Sequence, residues 1–340
     1  MSVSPQPPAR AGFSDAQAQT DVTHAPGSGN ADHPQAGSQA EKAFLRRHQL
    51  PQRWAGRPRF VVLETNFGLG HHFLATWAAW RADPQRCRQL VFVSIAPRGQ
   101  SQADLHQAHR GSPQPALAQA LMAQWPPTTP DIHLLDFDGG AVRLLLALGD
   151  VAQVLPDLVL QADAVYLGEG PGQASDIDSG AGPDRPPVRP HPRLLRHLQR
   201  LAAAGCTVAS AHGDSGLRQA LTSTGFVLDA PTDAARTDGP VTGHYAPRHH
   251  SQAPPGRQGQ AGVRHVAVVG AGLAGAAVAR ALAHQGLQVT VLERLAAPAQ
   301  ATSGNAGGLF HSVLHPQDGA HARWLRAAAL HTQRVLAPLQ

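Results

Sequence analysis

Between residues 59 and 230 the apolar positions fall into short blocks that alternate in period. Residues 59–64 and 90–95 are nearly unbroken apolar runs, the pattern of strands buried on both faces. Residues 73–81 follow a helical period, with Trp77 and Trp80 one turn apart. Residues 102–124 read as mainly helical and end before Pro126-Pro127. Residues 131–137 and 142–148 read as paired strands around Asp138-Gly139-Gly140, a hairpin turn. A strand at 164–167 precedes a loop over 168–192, dense in Gly, Pro, Ser and Asp. A helix over 194–204, a strand at 206–210, a helix over 217–224 and a last strand near Phe226 complete the set. This alternation predicts an α/β fold with a mostly parallel sheet.

A second pattern begins near residue 264. Val266-Ala267-Val268-Val269-Gly270-Ala271-Gly272-Leu273-Ala274-Gly275 reads as a strand, a glycine turn and the start of a helix. Val289-Thr290-Val291-Leu292-Glu293-Arg294 then supplies a strand ending in an acid about 20 residues on. That is a dinucleotide-binding βαβ unit. Gly270 allows the tight turn, Gly272 lets the backbone approach a pyrophosphate, and Gly275 lets the helix pack close to the sheet. Glu293 is placed to accept hydrogen bonds from a ribose. It also opposes a 2′-phosphate, so the expected order is FAD, then NAD, then NADP, with Arg294 softening the repulsion.

Composition adds bounds. The chain has 340 residues, enough for two domains, and is 42% hydrophobic. No apolar run approaches the ~18 residues of a membrane span. Residues 1–41 are rich in Pro, Gly, Ser and Gln and are expected to be disordered. Residues 231–263 read as a linker. Cys87 and Cys206 offer no disulfide framework and suggest a reducing cytoplasm. The net charge of +5 suits an anionic partner such as RNA, although the arginines are scattered and Lys42 is the only lysine. The adjacent pairs His71-His72 and His249-His250 lack the spacing of a helical metal site, so no metal is expected.

Glu64-Thr65-Asn66-Phe67-Gly68-Leu69-Gly70 resembles the first motif of class I methyltransferases, which bind S-adenosylmethionine. In sequence order the chain then shows further matching pieces. They are Phe44-Leu45, Leu50-Pro51-Gln52-Arg53-Trp54, that motif, Phe92-Val93-Ser94, Asp138-Gly139-Gly140, Leu148-Gly149-Asp150 and the later βαβ unit. This order resembles the bifunctional tRNA 5-methylaminomethyl-2-thiouridine biosynthesis family, an N-terminal methyltransferase fused to a C-terminal FAD-dependent oxidoreductase. The match continues through Ala301-Thr302-Ser303-Gly304-Asn305-Ala306-Gly307-Gly308-Leu309 and a helix over 318–336. The resemblance implies a class I methyltransferase-like sheet over 42–230 and the first part of an oxidoreductase domain over 264–340. It implies FAD at Gly270, Gly272, Gly275, Glu293, Arg294, Ser303, Gly304, Asn305 and Gly307. It implies S-adenosylmethionine at Glu64, Gly68, Gly70 and Asp150. The implied activity is FAD-dependent removal of the carboxymethyl group from 5-carboxymethylaminomethyluridine at the tRNA wobble position, followed by methylation of the exposed amine.

Several positions depart from the family pattern. Asn66 stands at a glycine of the first motif, Ala96 follows Ser94-Ile95 where an acid is expected, and Gly168 stands at an active-site Asp, with Glu169 one residue off. His71-His72 replaces a Leu-Asn pair. These changes predict a retained fold with lost methyl transfer. The residues from His265 onward are too few for a whole flavin domain, so a separate polypeptide completing it is a further expectation. Two other readings stay open on the sequence. One is a non-catalytic RNA-binding or scaffold protein, and the other is a generic FAD- or NAD(P)-dependent amine oxidoreductase. No catalytic residue is assignable.

Overall fold

A computed structural model describes residues 44–97, 99–168, 195–230, 239–248, 263–309 and 315–337. The segment expected to be disordered over 1–41, Glu169 with most of the 168–192 loop, His249-His250 and most of the expected linker lie outside the described residues.

The described residues begin with a helical turn over 44–47 and a 3-10 turn, Gln52–Trp54. β1 (Arg59–Glu64) leads through a glycine turn into α1 (His71–Ala82), and β2 (Gln89–Ala96) follows. Two helices, α2 (Gln102–Ala108) and α3 (Pro115–Ala123), precede the hairpin of β3 (Asp131–Phe137) and β4 (Val142–Leu148). Then come α4 (Val151–Asp157), β5 (Ala162–Leu167), α5 (Leu198–Leu201), β6 (Ala202–Ser210), α6 (Ser215–Ser223), β7 (Phe226–Leu228) and β8 (Val241–Tyr245). The second unit comprises β9 (His265–Val269), α7 (Leu273–His284), β10 (Gln288–Leu292) and α8 (Ala320–Leu336).

The first eight strands form one sheet in the order β3-β4-β2-β1-β5-β6-β8-β7, and β3 and β8 run against the rest. Two apolar layers cover its faces. One gathers Phe60, Phe73, Trp77, Trp80, Phe92 and Leu144 beneath α1 and α3. The other gathers Leu63, Val165, Leu198, Val208, Leu217 and Leu221 beneath α5 and α6. The two tryptophans one turn apart are both buried, and both satisfy their indole N–H. Trp77 donates to Asp138 at 2.6 Å and Trp80 to the Cys87 carbonyl at 2.9 Å. The opening segment is pinned to the sheet by Arg53, which donates to Thr207 Oγ1 at 2.6 Å and the Asp163 carbonyl at 2.9 Å.

Three expectations need correction. The single helix over 102–124 is two, because Gly111 and Pro113 interrupt it and Pro115 starts the second. The helix over 194–204 is described only at Leu198–Leu201, since Ala202 already pairs with Ala162 of β5. Strand pairing there overrides the helical propensity of the alanine run. Residues 241–245 are no linker. They form β8, inserted between β6 and β7, with Val241, Gly243 and Tyr245 facing the core.

The second unit buries little of itself. Among the described residues its sheet consists of β10 and β9, paired in parallel, and α7 carries no buried residue. Val269, Leu273, Leu309 and Trp324 are exposed. A two-stranded sheet of this kind is marginal alone in water. α8 lies along β3 of the large sheet, and the Gln89 amide donates to the His284 carbonyl at 3.4 Å.

Candidate functional site

The dinucleotide turn has the geometry its sequence predicts. Gly270 has φ 99°, a conformation that side chains resist, and its N–H donates to the Leu292 carbonyl at 2.7 Å, closing strand onto strand. Gly272 caps α7 without a side chain. A side chain on Gly275 would collide with the Gly270 carbonyl oxygen, so the helix can start here only because that residue has no Cβ. The N-terminus of α7 therefore stands at a glycine turn, the arrangement that binds pyrophosphate, with the N–H groups of Ala271 and Leu273 held by Glu293 and Ser303.

Glu293 ends the strand as expected, but its carboxylate turns back. It accepts from Ala271 N at 2.7 Å and from Leu295 N at 2.9 Å. Those two backbone bonds, Leu295 first, hold its carboxyl below the ordinary range. Ser303 lies at the same turn, with Oγ accepting from Leu273 N at 3.1 Å. A side chain on Gly272 would begin 2.9 Å from that oxygen. Gly304 sits tightly under the Ala299 carbonyl, while Arg294, Asn305 and Gly307 are exposed around the turn. The structure thus brings the predicted flavin-side residues Gly270, Gly272, Gly275, Glu293 and Ser303 together. The capping of α7 by Ser303 was not legible, because the two residues lie 30 positions apart.

The methyltransferase-type site lies at the ends of β1, β2 and β5. Glu64 is buried, and both carboxylate oxygens have partners inside the protein. His72 Nδ1 lies 2.9 Å from Oε1, and Ser94 Oγ donates to Oε2 at 2.6 Å. Gly68 and Gly70 both have positive φ, and a side chain on Gly70 would begin 2.7 Å from the Phe67 ring. Asn66 packs on Gly168: a side chain there would begin 2.8 Å from the Asn66 carbonyl oxygen and 2.9 Å from its Cβ. Ala96 is buried and offers no acceptor in place of the expected acid. Asp150 caps α4, accepting from Ala152 N at 2.6 Å. The bonds from His72 and Ser94 to Glu64 were missed. The one available signal was a pair of polar residues at positions that otherwise read as apolar strand and helix.

Neither cysteine offers a reactive thiol. Both are buried, which pushes Cys87 up to about 11 and Cys206 higher still. Among the described residues no group of His, Cys, Asp and Glu could hold a metal, and no helix is long and apolar enough to cross a membrane.

Comparison with known proteins matches each unit separately. Residues 113–244 match a family described as S-adenosyl-L-methionine-dependent methyltransferase, and residues 265–339 match FAD dependent oxidoreductase. Two relatives share the name tRNA 5-methylaminomethyl-2-thiouridine biosynthesis bifunctional protein MnmC. The one from Methylibium petroleiphilum is 45% identical over 339 residues, covering 98% of this chain and 50% of its own. The one from Paraburkholderia phytofirmans is 42% identical over 311 residues, covering 89% and 45%. Among solved structures, MNMC2 from Aquifex aeolicus aligns with a TM-score of 0.43 at 15% identity, over 63% of each chain. The chain spans about half the length of the curated relatives it matches. A methyltransferase-type sheet and an FAD-type βαβ unit follow one another in this chain, each matched by its own family, and over 98% of its length the chain is similar to a bifunctional tRNA 5-methylaminomethyl-2-thiouridine biosynthesis protein.

Proposed function

We propose that this chain contributes the FAD-binding turn of an oxidoreductase that removes the carboxymethyl group from 5-carboxymethylaminomethyluridine at the tRNA wobble position. The observation carrying this reading is the glycine cradle at Gly270, Gly272 and Gly275, closed by Glu293 and Ser303, in a chain related along 98% of its length to the bifunctional relatives. The residues present fit the group. A side chain on Gly270 would meet nothing within 4 Å, and an acid ends the second strand where a ribose would lie. The flavin, when bound, supplies two-electron oxidation of a C–N bond. Gly272 and the first N–H groups of α7 would hold the phosphates, Leu273 by releasing Ser303, and Glu293 would receive the ribose hydroxyls by exchanging its backbone donors. The Ser303–Asn305 turn lies beside Gly272 and Leu273 and would line the cofactor's approach.

The residue boundaries follow from the same reading: a methyltransferase-like domain over 42–230, extended to β8, and oxidoreductase sequence over 264–340. The exposed Val269, Leu273 and Leu309 are the faces on which the rest of an oxidoreductase fold packs, carried on a longer chain or on a separate polypeptide. tRNA is the partner of both halves, and the compartment is the cytoplasm.

The methyltransferase half does not fit S-adenosylmethionine well. Glu64 is already satisfied within the protein, Ala96 replaces the ribose acid, and Asn66 fills space beside Gly168. No methyl-transfer step is therefore assigned to it. The deciding experiment supplies the chain, extended to the length of its relatives, with FAD and tRNA bearing 5-carboxymethylaminomethyluridine. Nucleoside analysis should show 5-aminomethyluridine accumulating. A protein that binds flavin yet leaves that nucleoside intact would favour the generic amine oxidoreductase, and one that binds tRNA without flavin would favour the non-catalytic reading.

A further inference from the structure

We propose that the seam between β3 and the dinucleotide-binding unit is an acid-labile clamp, closed while His133 and His331 are neutral and opened when they take protons beside Arg334. The seam joins the two halves through few polar contacts. Arg326 of α8 donates to the Pro130 carbonyl at 3.2 Å and holds Asp318 at 2.7 and 3.0 Å. His284, at the end of α7, packs so closely on Gly140 that a side chain there would begin 2.7 Å from its Nδ1.

The charges around the seam are unbalanced. β3 brings Asp131, His133 and Asp136, and β4 brings Arg143. α7 brings Arg280 and His284, and Arg88 lies against the glycine that ends α7. α8 brings His321, Arg323, Arg326, His331 and Arg334, with Asp318 just before it. All three carboxylates are engaged: Asp136 by Arg143 at 2.7 and 3.2 Å, Asp318 by Arg326, and Asp131 by the Ile132 N–H at 2.7 Å, although the Asp131 charge still favours a proton on His133. Asp136 also lies 4.0 Å from His284. Arg334 is half-buried, its Nε has no partner, and it lies near enough to both His133 and His331 to oppose their protonation.

The histidines themselves have no place for a second proton. His133 uses Nε2 on the Thr129 carbonyl at 2.9 Å, which leaves Nδ1 as the proton acceptor, buried and without a partner. His331 Nδ1 is buried and unpartnered in the same way. Protonation would create a buried N–H with no acceptor at each site, next to a guanidinium. Burial is the main reason both are held below the ordinary histidine value of 6.5, with Arg334 adding to it. Because the folded value is the lower one, their contribution to the seam is complete above 6.5 and is lost as pH falls through that folded value. Acid therefore works against the seam through these two histidines.

Hydrogen exchange on the full chain, corrected for the intrinsic rate, tests this at about pH 7.5 and about pH 5.5. On acidification, protection of the α8 amides should fall by about tenfold or more. In the double variant His133→Gln, His331→Gln the α8 loss should shrink to about twofold or less. Arg334→Gln, which leaves both histidines in place, should also flatten the response. The proposal is overturned if wild-type α8 protection does not change with pH, or if Arg334→Gln and the double variant lose it as steeply as wild type.

Discussion

Replacing Gly168 by Asp would restore the residue type the family pattern places at the end of β5, and here it should destabilise the protein. The new Cβ would start 2.8 Å from the Asn66 carbonyl oxygen and 2.9 Å from the Asn66 Cβ. Both contacts are far inside van der Waals separation. Neither neighbour is the tip of a flexible side chain, so the backbone of the β1 turn must move. That turn is held by Phe67 N to Ile95 O at 2.8 Å and by Gly168 N to Thr65 Oγ1 at 3.2 Å. Overpacking against backbone of this kind costs about 1–3 kcal/mol. For a unit of this size that lowers the melting midpoint by about 2–4 °C per kcal/mol. Asn66→Gly removes the obstructing Cβ, although its backbone carbonyl remains, so the pair Asn66→Gly, Gly168→Asp should recover part of the loss. A double-mutant cycle by urea unfolding, followed by tryptophan fluorescence, should give a coupling of about 1–2 kcal/mol favouring the double variant. Trp77 and Trp80 are buried in the apolar layer over the sheet and report on its unfolding. Additive effects, or a Gly168→Asp protein as stable as wild type, would show that the two departures are unrelated and that the turn is looser than its contacts imply.

Two further outcomes follow from the sites. Calorimetry should show no micromolar binding of S-adenosylmethionine to the chain, because Glu64 is buried with both oxygens bonded and Ala96 offers no acceptor. Tight binding would mean that Glu64 exchanges His72 or Ser94 for the ligand. In a chain extended to the length of its relatives, Gly272→Val should abolish flavin retention, read by absorbance after gel filtration, since its side chain fills the phosphate space beside Ser303. Glu293→Ala should weaken retention without unfolding, because the carboxylate is exposed. Full flavin occupancy in Gly272→Val would reduce the turn to a packing device.

The elements that were legible in advance share a physical basis: each is specified by residues close in sequence. β1, β2 and the β3–β4 hairpin follow from apolar runs and a glycine turn, and the turn before α7 follows from three glycines whose roles are local. Elements that depend on a distant partner could not be read that way. The alanine run 202–204 extends β6 because β5 lies beside it, and Val241–Tyr245 becomes a strand because β6 and β7 leave a slot. Its alternation of Val241, Gly243 and Tyr245 was present in the sequence, but the surrounding Pro, Gly and His outweighed it. The sites divide the same way. Residue types at Gly270, Gly272, Gly275 and Glu293 announced a dinucleotide turn without help from the fold. Only the tertiary structure joined Glu64 to His72 and Ser94, set Asn66 against Gly168, and laid α8 along β3. Contacts of that kind arise when strand order and helix packing bring together side chains whose separation along the chain carries no periodic signal.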